Sequence, residues 1–256
     1  MINFVDFKKV FDSVHRDSLW KIARSYGIPD QFVKVFRSLY SNSSCCVRTE
    51  QGTTEFFTIK TGVRQGCILS PFLFLLTIDF VLRKTMGGVG FGIPRCEPNR
   101  LTDLDFADDI ALLGASTKSI QEMTTSLNGG ASKVSLRIST DKTKVMWVGY
   151  AAAGSPITIG QSRIEEVQKF TYLGSTITSN GDADHDVACR IGKAGAVFRQ
   201  LSLIWTTQTI STAIKIRLLN TIVIPMAIYA CETWKTNAKI ERRINVAQQW
   251  WLQRIL

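Results

Sequence analysis

The sequence predicts an α+β fold in which a mixed part precedes a helical part. Up to about residue 182, short apolar runs that alternate like strands are interleaved with segments of helical periodicity. From Asp184 to the end the periodicity is helical, with breaks near residues 205–211 and near Thr236. The composition shifts near Asn180 and Gly181, so we expect a domain boundary there, with residues 1–182 in one domain and residues 183–256 in the other.

The first elements are a strand and two helices. Residues 1–6 form an apolar run that ends in an acidic side chain, which is typical of a strand. The next segment is amphipathic, with Asp17 as the expected N-cap and Gly27 before Pro29 as the stop signal. A second helix is expected over residues 30–40.

A hairpin and a long helix follow. The runs SCCVRT and EFFTIK are strand-like and are joined by a predicted turn at residues 50–53. After the loop TGVRQGC, residues 68–85 predict a strongly apolar helix, entered through Ser70 and Pro71 because proline is tolerated in a first helical turn.

The middle of the chain returns to strands. GVGFGIP predicts a short strand, and a hairpin with its tip at residues 107–109 comes after it. Helical periodicity from residue 117 ends at Asn128-Gly129-Gly130. The remaining predicted strands are residues 143–148, 157–159 and 170–177.

Charge is unevenly distributed along the chain. The formal net charge is +10, and residues 190–254 hold ten Lys or Arg against two Glu, which gives 10 − 2 = +8. A polyanionic partner, nucleic acid first and an anionic membrane second, would explain this excess. A solvated helical surface explains it equally well.

Several classes of protein are excluded by composition. The six cysteines have no Cys-x-x-Cys spacing and there are only two histidines, which argues against structural zinc and suits a reducing compartment. No secretory signal and no apolar run of about 20 residues is present. We therefore expect a soluble, intracellular protein, nuclear or cytoplasmic.

The stretch TDLDFADDIALLG places Asp108 and Asp109 between two apolar strands. Adjacent carboxylates in a partly buried segment repel each other unless a cation lies between them, and a divalent metal is the simplest such cation. An acidic pair after an apolar run also occurs at nucleoside-triphosphatase strand ends and in calcium loops. The first of these needs a G-x-x-x-x-G-K-[ST] loop, which this sequence lacks.

Two-metal phosphoryl transfer requires carboxylates from separate chain segments at one point. Asp6 at the end of the first strand and the Asp108–Asp109 tip satisfy this requirement if their strands are neighbours. Asp12 and Asp105 are competing acids. We interpret Asp12 as a turn or cap residue and Asp105 as a solvated or structural acid.

Five motifs in order resemble the palm motifs of reverse transcriptases, in particular those of non-LTR retrotransposons. They are VDFKKVFDSVHR (5–16), TGVRQGCILSP (61–71), LDFADDIALLG (104–114), LRISTDKTKVM (136–146) and KFTYLGSTIT (169–178). The resemblance implies a right-hand polymerase palm, an antiparallel sheet with packed helices, over residues 1–182 and a thumb-like helical region over residues 183–256. Val10 and Ser139 depart from the family, which usually has alanine and asparagine there.

The resemblance also implies a role for individual residues. The catalytic residues would be Asp6, Asp108 and Asp109, which with the Phe7 carbonyl would bind two Mg²⁺ ions, with Mn²⁺ as an alternative. The nucleotide site would contain Phe11, Gln65, Gly66 and Lys142, with Lys144 competing for the role of Lys142. The primer site would contain Tyr172, Leu173 and Gly174. A ring at Phe11 would exclude a 2′-hydroxyl, although a core phenylalanine explains the same position.

The implied function is RNA-directed DNA polymerase, a nucleotidyltransferase that adds deoxynucleoside triphosphates to a primer 3′-hydroxyl. The expected partners are an RNA template, a DNA primer and dNTPs, with no membrane. The chain is expected to be a fragment whose fingers and endonuclease regions are supplied elsewhere. Two rivals remain: an inactive truncated remnant that only binds nucleic acid, and another palm-type nucleotidyltransferase, which Gln65-Gly66 followed by Ser70-Pro71 argues against.

Overall fold

The computed structural model describes residues 1–88, 90–96, 99–149 and 155–256. They divide into two compact units, one of residues 1–147 with 155–167 and the other of residues 148–149 with 168–256. Both helices and strands are present, as an α+β fold requires. Part of the predicted GVGFGIP strand, residue 89, lies outside the described residues.

The helices and strands have the following bounds. The helices are α1 (Val10–Ser13), α2 (Arg16–Ser25), α3 (Asp30–Tyr40), α4 (Leu69–Thr85), α5 (Thr117–Ser132), α6 (Asp184–Gln200), α7 (Ser202–Thr206), α8 (Thr212–Leu218), α9 (Ile224–Ala227) and α10 (Ala238–Ile255). The strands are β1 (Ile2–Val5), β2 (Ser44–Cys45), β3 (Arg48–Thr49), β4 (Gly52–Thr53), β5 (Phe57–Thr58), β6 (Ile93–Cys96), β7 (Asn99–Leu101), β8 (Asp103–Phe106), β9 (Asp109–Leu113), β10 (Lys144–Met146), β11 (Thr158–Ile159), β12 (Ser162–Arg163), β13 (Glu165–Glu166), β14 (Lys169–Tyr172) and β15 (Ser175–Thr178).

The first unit is built on a five-stranded sheet with the order β13-β10-β1-β9-β8. β1 lies at its centre and pairs antiparallel with both β9 and β10. The sheet departs from the expected antiparallel pattern at one place, because β10 and β13 run parallel. Its central position explains why β1 is apolar: Phe4 and Val5 are buried on both of its faces.

Helices α4 and α5 supply much of the core of the first unit. α4 buries Leu73, Phe74 and Ile78, and α5 buries Ile120 and Leu127. The predicted end of α5 at Asn128-Gly129-Gly130 is wrong, since the helix continues to Ser132. Gly130 is a packing residue there: a Cβ on it would lie 2.4 Å from Thr85 Cγ2 of α4.

The N-cap of α2 and the turn between β3 and β4 differ from the sequence predictions. The N-cap of α2 is His15, whose extended backbone lets its side chain accept from the Ser18 N–H, and Asp17 lies inside the first turn. The expected turn at residues 50–53 is tighter, because Gly52 already pairs with Thr49, and Thr53 with Arg48. The other early helices begin and end within a few residues of the predicted bounds.

The second unit combines the β14–β15 hairpin with helices α6 to α10. Phe198, Trp205, Leu219 and Trp251 form the centre of its core. A π-helical segment, Leu219–Val223, leads into α9 at a point where Pro225 cannot donate a backbone hydrogen bond. The hairpin groups with these helices, so the compact units divide after Val167. The domain division between 182 and 183 stays a prediction.

Among the described residues, no helix is both long enough and apolar enough to cross a membrane.

Candidate active site

The register of the central sheet brings Asp6 and Asp109 to the same edge of the sheet, meaning the edge where β1 ends and β9 begins. Val5 is paired with Ile110 in the antiparallel β1–β9 ladder, so Asp6 and Asp109 are the next pair along it. Phe106 pairs with Asp109 across the β8–β9 hairpin, which leaves Ala107 and Asp108 as its tip. Ala107 has a left-handed backbone (φ 57°), as tight two-residue hairpin tips require. The condition that the two strands be neighbours is therefore met.

The surroundings of Asp109 disfavour its charge. Burial raises the pKa of Asp109, and the neighbouring charges of Asp108 and Asp6 raise it further. The Oδ1 atom of Asp6 is buried and accepts no hydrogen bond among the described residues, and the Lys142 Nζ lies 3.8 Å from it, too far for one. A carboxylate oxygen withdrawn from water without a donor is costly, and a cation would remove that cost.

These residues fit a hard divalent cation. Carboxylate and carbonyl oxygens are the ligands that Mg²⁺ and Mn²⁺ prefer. No group of three or more His, Cys, Asp and Glu side chains in the described part of the chain is already gathered tightly enough to hold a metal ion. The carboxylates of Asp6, Asp108 and Asp109 therefore do not form a closed metal site as they stand.

The backbone around Asp6 is held by the segment before β10. The Asp6 carbonyl accepts from Ser139 N at 2.8 Å, and Lys8 N donates to the Arg137 carbonyl at 2.8 Å. These two bonds flank the Phe7–Ile138 bridge, so the Phe7 carbonyl is not used by that pairing. The predicted carbonyl ligand is thus compatible with the sheet.

The two competing lysines have different partners. Lys142 is largely exposed, and its Nζ lies 3.8 Å from Asp6 Oδ1. Lys144 is bound to Glu165 at 2.6 Å and to the Asp141 carbonyl at 2.7 Å, so it ties β10 to β13. Of the two, Lys142 lies at the carboxylates.

The TGVRQG loop is bonded to the segment after Phe7. Val63 N donates to the Phe11 carbonyl at 2.7 Å, and the Phe11 ring stacks on Phe74 with centroids 4.8 Å apart. Gln65 Nε2 lies 3.4 Å from Asp12 Oδ1. The structure therefore brings Phe11 and Gln65 into one neighbourhood and gives Asp12 a local hydrogen-bonding role. Gly66 has φ 82° and open space where a side chain would be.

The acids that influence Asp105 are not the ones at the sheet edge, Asp6, Asp108 and Asp109. Its pKa is raised by burial, then by Asp103, with a smaller contribution from Asp79. This pattern favours the structural interpretation of Asp105.

Arg16 is a residue that the sequence analysis missed. Its guanidinium donates to the carbonyls of Gly62, Tyr40, Ile59 and Thr61 at 2.9–3.1 Å, and it lies 5.0 Å from the centroid of the Tyr40 ring. It thereby holds the TGVRQG loop against α2 and α3. The only sequence signal was a basic residue at the end of the first motif, which does not reveal partners more than 20 positions away.

The predicted primer residues lie in the second unit. Leu173 (φ 48°) and Gly174 (φ 81°) are consecutive left-handed residues and form the tight turn of the β14–β15 hairpin. Leu173 is 42% exposed, and Tyr172 is the last residue of β14. Gly174 supplies the turn, as the fifth motif predicts.

A sheet that is antiparallel except between β10 and β13, with acidic residues at one edge and a lysine beside them, has the layout of a nucleotidyltransferase palm. The family model described as "Reverse transcriptase (RNA-dependent DNA polymerase)" matches residues 1–177. This chain belongs to the reverse transcriptase family.

Relatives point to retrotransposons. The chain is 27% identical over 191 residues to a Pol polyprotein from the type-2 retrotransposable element R2DM of Drosophila melanogaster, covering 69% of this chain and 17% of that protein. It is 24% identical over 268 residues to the RNA-directed DNA polymerase from mobile element jockey of Drosophila funebris, covering 98% of this chain and 28% of that protein. The predicted resemblance to non-LTR retrotransposon reverse transcriptases is confirmed.

Solved structures with a similar fold include telomerases. Telomerase from Candida albicans, in complex with a fragment of telomeric RNA, matches 99% of this chain and 47% of its own with a TM-score of 0.54 and 13% identity. Telomerase from Candida tropicalis, in a truncated apo form, matches 70% of this chain and 34% of its own with a TM-score of 0.50 and 17% identity. At these identities the likeness shows the fold, and it confirms the predicted right-hand polymerase class.

Proposed function

We propose that this chain carries the palm and thumb-like regions of an RNA-directed DNA polymerase of a retrotransposon. The observation that carries the proposal is the meeting of Asp6 and Asp109 at one sheet edge, beside Asp108. The family match over residues 1–177 supports the same reaction. It also favours the polymerase over the non-catalytic remnant.

Asp6, Asp108, Asp109 and the Phe7 carbonyl are the proposed ligands of two Mg²⁺ ions, with Mn²⁺ as an alternative. When bound, two such ions activate an attacking hydroxyl and hold a leaving pyrophosphate. The buried Oδ1 of Asp6 and the raised pKa of Asp109 support this assignment, since both are relieved by a cation.

The nucleotide site is proposed to contain Phe11, Gln65, Gly66 and Lys142. Phe11 is fixed by Phe74, so its ring can act as a rigid wall beside the sugar. Gly66 has no side chain in the open space above the loop, which lets a base approach the backbone. Lys142 is free to turn from Asp6 to a triphosphate and to donate a proton to the leaving group.

The remaining partners are an RNA template and a DNA primer, whose end we assign to Tyr172, Leu173 and Gly174. The +8 region of residues 190–254 lies in the same unit as this hairpin, and phosphates are its natural counterions. No membrane partner is proposed, and an intracellular location, nuclear or cytoplasmic, stays a prediction.

Primer extension on poly(rA)/oligo(dT) with Mg²⁺ tests this proposal. We expect dTTP to be incorporated, UTP to be rejected, and incorporation to stop when EDTA is added. RNA binding that weakens with salt, without any metal-dependent synthesis, would instead support the non-catalytic remnant. Products made from nucleotides without a template would support another palm-type nucleotidyltransferase.

A further inference from the structure

A buried arginine binds the tip of the β14–β15 hairpin to α6. The Arg190 side chain is only 9% exposed. Its Nη2 donates to the Gly174 carbonyl at 2.5 Å and to Ser175 Oγ at 3.2 Å. The guanidinium lies 4.3 Å from the centroid of the Tyr229 ring, which fixes its plane.

An aspartate one turn earlier on α6 holds the next residue of the hairpin. The Asp186 side chain is 4% exposed, and its Oδ1 accepts from Thr176 N at 2.8 Å. Its Oδ2 accepts from Trp234 Nε1 at 2.9 Å. Arg190 Nε lies 3.8 Å from Asp186 Oδ1, so the carboxylate and the guanidinium also balance each other's charge.

The network fixes three consecutive residues of the hairpin, 174–176, through their backbone or hydroxyl groups. Two of the three contacts are to backbone atoms, at Gly174 and Thr176, so the network acts on the path of the turn and not only on one of its side chains. Buried charges are a costly way to stabilise a fold, and apolar residues of similar size often do as well or better. A requirement to hold the hairpin turn in one position therefore explains a buried ion pair at this place better than a gain in stability does.

We propose that Asp186 and Arg190 are positioning residues for the primer 3′ end, acting through the Tyr172–Gly174 turn. This inference rests on the proposed function, because it takes the turn as the primer site. Neither residue needs to touch the primer. A misplacement of about 1 Å at a reacting group can slow a reaction by about 100-fold, so a loosened turn should slow chemistry more than it weakens binding.

The test compares Arg190→Ala, Arg190→Lys and Asp186→Asn with Gln200→Ala. Gln200 is exposed at the end of the same helix and carries no charge, so its variant changes neither the network nor the basic surface. Pre-equilibrated protein and primer–template are mixed with saturating dTTP, and the burst amplitude and burst rate are measured separately. Fluorescence anisotropy gives the primer–template Kd, and hydrogen exchange of residues 169–178 reports the mobility of the hairpin.

We expect Arg190→Ala to lower the burst rate by about 10- to 100-fold. Its primer–template Kd should stay within about threefold of wild type, since phosphate contacts supply most of the affinity, and exchange in the hairpin should be faster. Arg190→Lys should recover part of the rate, because an ammonium can still donate to the Gly174 carbonyl. Gln200→Ala should match wild type in burst rate.

The outcomes separate the two claims. A purely structural role would lower the burst amplitude and leave the burst rate of the active fraction unchanged, which would overturn the positioning role. If Arg190→Ala does not fold, an unchanged burst rate in both Arg190→Lys and Asp186→Asn would overturn it instead. A wild-type chain that cannot extend the primer would overturn the proposed function and this inference together. If the wild type extends the primer but the variants keep its burst rate, only this inference is overturned.

Discussion

Lys142 and Lys144 lie two positions apart, yet their surroundings assign them different tasks. Lys142 is 73% exposed and faces Asp6 at 3.8 Å, whereas Lys144 is only 21% exposed and is bound to Glu165. A lysine that serves the leaving pyrophosphate must be able to move to it. We infer that the exposed lysine is the functional one and that the bound one is structural.

We expect Lys142→Ala to slow single-nucleotide incorporation by about 100-fold or more, the usual contribution of a general acid. Lys144→Ala should leave the incorporation rate within about twofold and lower thermal stability slightly, because partly exposed ion pairs contribute about 0–1 kcal/mol. Rapid-quench measurements on both variants decide between them. An equal loss in the two variants would contradict the assignment.

Asp109 makes the stability of the metal-free chain depend on pH. Its pKa is raised by burial, Asp108 and Asp6, so the folded chain holds this proton to a higher pH than the unfolded chain does. Stability therefore falls as the pH rises from about 3.9, the usual pKa of an unfolded aspartate, through the raised folded pKa. At still higher pH, Asp109 is ionised in both states, and the loss of stability no longer changes with pH.

In EDTA at neutral pH, Asp109→Asn should raise Tm by a few degrees at most, because Asp109 is only partly withdrawn from water and solvent screens its charge. The gain should vanish below about pH 4, where both states are protonated. Asp30→Asn is the opposite control, since a hydrogen bond from Arg24 is the main cause of its lowered pKa. That variant should lower Tm at neutral pH. A lower Tm for Asp109→Asn would contradict the account.

Gly62 and Gly66 lie in one loop with similar left-handed backbones but different surroundings. A Cβ on Gly62 would lie 2.6 Å from the Phe11 carbonyl oxygen, whereas one on Gly66 would contact nothing within 4 Å. Gly66→Ala should cost only the left-handed penalty of about 1–2 kcal/mol. Gly62→Ala should cost about 1–3 kcal/mol more, because the loop must leave the Phe11–Asp12 backbone. Urea unfolding of the two variants measures the difference, and equal losses would refute it.

The acidic residues could be proposed from sequence, and the residues that support them could not. Asp6 and Asp109 stand out because each adjoins an apolar strand, a pattern that local sequence displays. Arg16 reaches carbonyls at positions 40, 59, 61 and 62, and His15 replaces Asp17 as a cap through backbone geometry. Such contacts depend on the folded path of the chain, and the periodicity of the sequence carries no information about that path.

Helix α5 shows that neighbouring glycines can have opposite effects on one element. Gly129 is exposed with open space at its Cβ position, whereas a Cβ on Gly130 would meet Thr85 Cγ2. Thr85 cannot easily turn away, because its hydroxyl donates to the Val81 carbonyl at 2.7 Å. Gly130 therefore allows α5 to approach α4 closely.

We expect Gly129→Ala to stabilise the chain by about 0.5–1 kcal/mol, the usual gain of alanine over glycine inside a helix. Gly130→Ala should instead destabilise it by about 1–3 kcal/mol through overpacking. Thermal denaturation of the two single variants measures both signs. Stabilisation by both would mean that α4 and α5 do not pack as closely as described.

The same pair of glycines explains why the end of α5 was mispredicted. An Asn-Gly-Gly sequence is a common helix stop, and only the contact with Thr85 turns it into a packing site. The parallel pairing of β10 with β13 was likewise hidden, because these strands have only three and two residues and no clear alternation. The long, strongly apolar α4 was predicted almost to the residue.

For the molecule as a whole, the positive charge and the proposed catalytic acids belong to different units. The acidic edge lies in the unit built on the central sheet, and the +8 of residues 190–254 lies in the helical unit with the hairpin. Such a division suits a polymerase, in which one part performs chemistry with cations and another holds the phosphate backbone. The uneven charge and the acidic motif can both be identified from the sequence alone, because neither depends on the folded path of the chain.

The most direct test of the central claim is primer extension by two charge-matched double variants. Asp108→Asn with Asp109→Asn removes the acids of the proposed metal site, and Asp103→Asn with Asp105→Asn removes as many charges from strand β8 of the same hairpin. On poly(rA)/oligo(dT) with Mg²⁺ and dTTP, we predict that the first variant loses extension by at least about 1,000-fold and that the second retains it within about tenfold. Equal activity in the two variants, both folded and both binding the duplex, would contradict the assignment of catalysis to Asp108 and Asp109.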